Sequence, residues 1–141
     1  MHLPSRGRAR TVHFMSNKVS DHFARVRKLC LALPTVAEKI SHGAAYFHLT
    51  DKAGILMFAD NHHNDGRRAV WCKAAPEAQA TLVDAYPDRY FVPPYMGVKG
   101  WVGIRLDRTV DWGAVTALLE DAWFSIASKK LRDQRHAMTI E

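Results

Sequence analysis

At 141 residues, 48 % apolar and 24 % charged, the chain has the size and composition of one folded domain, which excludes a disordered protein. Its longest apolar run, Ile55 to Ala59, is far short of the ~20 residues that span a bilayer, and its arginine-bearing N-terminus lacks the apolar stretch of a secretory signal. The net charge of +6 invites a nucleic-acid reading, yet residues 19–127 hold twelve Lys+Arg and twelve Asp+Glu, so all the excess lies in the tails.

Residues 1–18 are polar, carry Arg6, Arg8, Arg10 and Lys18, and show no period; they read as a disordered basic tail, with Met15 as an alternative start. The organised domain is expected over 19–131. Ser20 or Asp21 caps a first helix, in which Phe23, Val26, Cys30 and Leu33 recur at helical spacing until Pro34 ends it. A short extended piece at Glu38 to Ser41 precedes three strands: Ala45 to Leu49, Ile55 to Ala59 and Ala69 to Lys73. The polar loop DNHHNDGRR (60–68) joins the last two. Pro76 and Glu77 open a second helix that Pro87 follows. Tyr90 to Val92 is a short strand. The segment PPYMGVKGWVGIRLD (93–107) then runs from a loop into an alternating strand with Val102, Ile104 and Leu106 on one face and Trp101, Gly103 and Arg105 on the other. Asp111 caps a third helix whose stripe is Val115, Leu118, Leu119, Ala122 and Ile126, with Lys129 and Lys130 at its C-terminal end; residues 132–141 read as a frayed tail.

Short links between these elements predict an α+β domain of two layers, an antiparallel sheet with helices packed on one face. The other face would then be open, and alternation assigns Tyr46, His48, Trp71, Lys73, Trp101 and Arg105 to it, with Tyr95 and Lys99 in the adjoining loop. These eight residues are the expected binding site.

An ordered series of short motifs resembles the MmcQ/YjbR family. It comprises His42-Gly43 before a strand, Lys73 followed by Pro76-Glu77, Tyr86-Pro87, Phe91-Val92-Pro93-Pro94-Tyr95-Met96-Gly97, Gly100-Trp101-Val102 and Asp111-Trp112. The resemblance covers roughly Phe23 to Leu131. It implies a CyaY-like fold and a DNA-binding role tied to a double wing of strands and loops, and it offers no catalytic residue. Frataxin-type relatives of that fold bind iron through an acidic first helix. Here that helix carries Asp21 against Arg25, Arg27 and Lys28, so iron binding does not carry over.

Other readings are weaker. Asp60, His62, His63 and Asp65 supply imidazoles and carboxylates, but a metal needs three or four ligands converging at ~2.0–2.2 Å, and adjacent loop histidines usually diverge. Cys30 and Cys72 fit neither a disulfide framework nor metal spacing and suit a reducing, cytoplasmic setting. Cys72 falls on the core face, where a thiol is inert. His42 either lines a pocket or, the favoured reading, hydrogen-bonds the turn into the first strand, and Gly97 and Gly100 read as turn formers rather than a phosphate loop. The expectation is a non-enzymatic DNA-binding protein without cofactor or metal, a monomer or weak homodimer with no membrane partner; the alternative is a small-molecule- or protein-binding module using the same face.

Overall fold

The computed structural model describes residues 21–49 and 53–140, without the side chains of 138–140. The expected basic tail lies outside the described residues, as do residues 50–52. The chain is helical over 21–31 (α1) and then forms β1 (Ala37–Ser41), β2 (Ala44–His48), β3 (Gly54–Asp60) and β4 (Arg68–Cys72). Next come α2 (Pro76–Ala85), β5 (Tyr90–Phe91), β6 (Val102–Arg105), α3 (Trp112–Ile126) and α4 (Lys129–Ile140). The strands make one six-stranded sheet in the order β1-β2-β3-β4-β6-β5, antiparallel at every pairing.

Local chemistry accounts for the turns. His42 (φ 51) and Gly43 (φ 78) form a two-residue link between Ser41 and Ala44, and positive φ at both positions suits the twist of a tight hairpin. Pro76 starts α2, and the Asp111 carboxylate accepts from the Ala114 amide at 3.1 Å to cap α3.

The helices lie on one face, as expected for an α+β domain. Val26, Cys30 and Leu33 pack with Val115, Leu119, Ala122 and Trp123 over Phe47, Leu56, Phe58, Val70, Val102, Ile104 and Leu106. The Trp123 indole donates to Pro34 O at 3.0 Å and ties α3 to the end of α1. Alternation thus places Val102, Ile104 and Leu106 correctly in the core.

Two expectations are corrected. Residues 129–140 form a fourth helix instead of a frayed tail: α3 stops at Ile126, Ala127 is extended, and Ser128 Oγ accepts from Leu131 N at 3.2 Å to start α4. The second sheet face is also not open. Ala44, Met57, Ala59, Ala69, Trp71, Phe91 and Trp101 form a second buried cluster there. Trp71 and Trp101, expected to be exposed, are only 2 % and 3 % accessible. The loops at 61–67 and 92–101 fold back over that face, and a concave site results.

Candidate ligand cleft on the second sheet face

Two loops roof the second face, each held by its own hydrogen bonds. In the first, Asn61 N donates to Arg67 O at 2.6 Å, Gly66 N to Asn61 Oδ1 at 2.9 Å and Arg67 N to Asp65 Oδ1 at 2.8 Å. In the second, Gly97 N donates to Pro93 O at 2.9 Å and Lys99 N to Met96 O at 3.0 Å. The Gln79 carboxamide on α2 donates to Gly97 O at 2.9 Å and Trp101 O at 2.6 Å, clamping this loop from behind. Gly100 makes the return possible: it sits at φ 91, and a Cβ there would lie 3.0 Å from Ala74 O.

Between the loops and the sheet lies a cleft of about 450 Å³. Met57, Trp71 and Trp101 supply its apolar floor. The Tyr46 ring runs nearly parallel to Trp101 (10° between planes, centroids 6.4 Å apart), and His48 stacks against Tyr46 at 6.3 Å. His62 packs edge to face on Trp71 at 5.3 Å. At the mouth, His63 meets Tyr95 at 5.6 Å, so the two loops touch across the cleft. Lys39, whose Nζ lies 5.6 Å from the Tyr46 ring centroid, and Lys99 bring positive charge to the rim. No carboxylate is among the described residues that line it. Three rim residues, His42 (φ 51), His63 (φ 55) and Tyr95 (φ 64), hold left-handed backbone that side chains other than glycine seldom adopt.

Burial pushes the His62 imidazole below its usual range, with His63 and His42 acting the same way and Asp65 opposing them. His62 is therefore neutral at pH 7. Burial likewise raises the Tyr46 phenol, which stays protonated.

Of the eight expected site residues, Tyr46, Trp71, Tyr95, Lys99 and Trp101 line this cleft, with His48 stacked behind Tyr46. Lys73 and Arg105 do not. Lys73, just past the end of β4, lines a separate groove beside Asp121 and Ser125 of α3. Arg105 lies beyond Gly103, and its Nε and one terminal nitrogen bind the two Asp107 oxygens, each at 2.9 Å. That hydrogen bonding, more than the neighbouring charges, holds the Asp107 carboxyl below the usual carboxylate range and raises the guanidinium. The space over Gly103 is filled by the Phe91 ring, capped in turn by the Arg67 guanidinium at 4.0 Å.

Sequence reasoning missed the contributions of Lys39, Ser41, Met57, His62, His63 and Met96, and favoured the turn role of His42 over the pocket role that it has here. The two-residue His42-Gly43 link is a hairpin signal that would have placed His42 at the sheet's end. The Asn- and Gly-rich composition of 60–68 marks left-handed turns, which aim neighbouring side chains inward. Elsewhere, Cys30 and Cys72 are free and buried in the helix-side core, and burial pushes the Cys72 thiol up to about 12. Among the described residues no three His, Cys, Asp or Glu side chains converge, and no helix is long and apolar enough to cross a membrane.

The family model for YjbR matches residues 31–124, which takes in the whole sheet, α2 and most of α3. The chain belongs to the YjbR family. A solved structure is similar in fold, the crystal structure of Deinococcus radiodurans protein DR2400, a DUF419 domain. It is 20 % identical, with TM-score 0.61 over 77 % of this chain and 83 % of that one. No curated protein matches the chain. This YjbR protein extends beyond the matched segment in α1 and α4, both of which lie at or outside its ends.

Proposed function

We propose that this YjbR protein is a non-enzymatic DNA-binding domain that takes one unpaired nucleotide of a single strand into the cleft. The observation that carries this reading is the make-up of the cleft: aromatic rings from two strands and the loops around them, lysines at the rim and no carboxylate among the described lining. Stacking of one base on such rings contributes ~1–3 kcal/mol. A volume of about 450 Å³ is in the range of small-ligand sites, and the floor lies beneath loop rims that a base-paired duplex cannot enter. With Arg105 committed to Asp107, the cations that can meet a phosphate are Lys39 and Lys99. Two phosphates neutralised in this way give a single-strand salt slope of only about −1.4, so the body binds weakly and the basic tail supplements it. A binding role without chemistry suits a domain whose free thiols are buried and protonated in the helix-side core, away from the cleft, and free cysteines suit the cytoplasm.

Titration of full-length protein with single-stranded and duplex oligonucleotides in low salt, followed by tryptophan fluorescence, tests this. Single strands should quench the emission and bind more tightly than duplex; Lys39→Ala with Lys99→Ala should weaken them. Equal or tighter duplex binding would reject the cleft as the DNA site. The enclosed shape also favours a second reading, a free planar anion, and a mononucleotide that competes as well as the oligonucleotide would establish it.

A further inference from the structure

The floor of the cleft holds a polar atom with no partner among the described residues. Trp71 is 2 % exposed, and its Nε1 is sealed from solvent without a hydrogen-bond acceptor among the described residues. Trp123, equally buried on the helix side, donates to Pro34 O at 3.0 Å. Native structures satisfy the great majority of buried donors, because an unpaired one loses its water without compensation. An unpaired donor in the wall of a concave site is where a ligand's acceptor belongs.

The other polar groups narrow the ligand further. Lys39 and Lys99 only donate, the Ser41, Tyr46 and Tyr95 hydroxyls and the imidazoles can do either, and neither a carboxylate nor a carboxamide is among the described lining residues, so the cleft has dedicated donors and no dedicated acceptor side chain among them. Thymine presents two ring carbonyl oxygens and a single N–H. Adenine has no ring carbonyl and cytosine has one, and each carries an amino group that itself needs an acceptor.

Resting on the reading of the cleft as a nucleotide site, we propose that Trp71 Nε1–H is its base-reading donor, pairing with a ring carbonyl, and that the site prefers thymine over adenine and cytosine. The base reaches that atom when the His62 ring, packed edge to face on the indole at 5.3 Å, turns aside. His62 belongs to a loop in which Asn61, His63 and Asn64 all have positive φ, and as a neutral imidazole it leaves the indole without breaking an ion pair.

The test is anisotropy titration of the full chain with labelled twelve-residue strands of dT, dC and dA. The dT strand should bind about five- to tenfold more tightly, the ratio expected for satisfying one buried donor. Because dT strands are also the least stacked, Trp71→Phe is the deciding comparison. It keeps an aromatic face and removes the donor, so the preference should collapse to within about twofold. An unchanged preference in Trp71→Phe, or none in the wild type, overturns the proposal while leaving the nucleotide reading intact. Absence of binding by all three strands in low salt overturns both. Should Trp71→Phe fail to fold, indole ¹H–¹⁵N spectra of the wild type decide: the Trp71 signal should move downfield with dT and not with dA, which has no carbonyl, and no movement with dT, or an equal one with dA, rejects the carbonyl pairing.

Discussion

Trp101 shows how one side chain's position separates a scaffold role from a contact role. Its indole is 3 % exposed, packed with Phe91, Trp71 and Met96 beneath the returning loop. Trp101→Ala should therefore destabilise the domain by ~3–5 kcal/mol in urea unfolding, because the vacated volume cannot collapse against the sheet. A loss under ~1 kcal/mol would mean that the loop does not seal this ring. Asp107 offers a second test through pH. Its folded carboxyl is held below the ordinary range, chiefly by the Arg105 hydrogen bonds. The stabilisation is therefore present above the unfolded value of ~4 and lost as pH falls through the lowered folded value. Asp107→Asn should be less stable than wild type at neutral pH, and the gap should close in acid; a gap that persists at pH ~2 would assign the effect to packing.

Elements were legible where period is enforced by a core. The strands at 45–49, 55–59 and 69–73 fall within a residue or two of β2, β3 and β4, because one face of each packs under helices. The α3–α4 break was not legible from period. The apolar spacing through Ile126 and Leu131 runs on, and only Ser128, a side-chain cap inside that run, marks the new start. Alternation also assigned Trp71, Trp101 and Tyr46 to the second face correctly, but alternation is local. Whether a loop returns over a face depends on distant partners, here Gln79 on α2 and the left-handed Gly100. Gln79→Ala should remove a donor that serves two loop carbonyls and cost ~1–2 kcal/mol. It should also raise hydrogen exchange at the Gly97 and Lys99 amides more than at β4. Uniform exchange across the domain would show that the loop and the sheet open together.

For the molecule as a whole, charge and shape are divided between different parts of the chain. The tails hold the excess positive charge, while residues 19–127 are balanced and contain the cleft. Deleting residues 1–14 removes Arg6, Arg8 and Arg10 and should flatten the salt slope for single strands by about two units, with the base preference unchanged. An unchanged slope would confine phosphate binding to the body. The rim residues His42, His63 and Tyr95, all at positive φ, carry a further consequence for how substitutions distribute. Glycine adopts that backbone without strain, so folding by itself favours glycine at these three positions, whereas occupancy of the cleft favours the ring. A variant library scored once for cellular abundance and once for ligand capture should split there, with glycine tolerated in the first assay and depleted in the second. Positions of purely structural origin, such as Gly100 and Gly103, should rank their variants the same way in both.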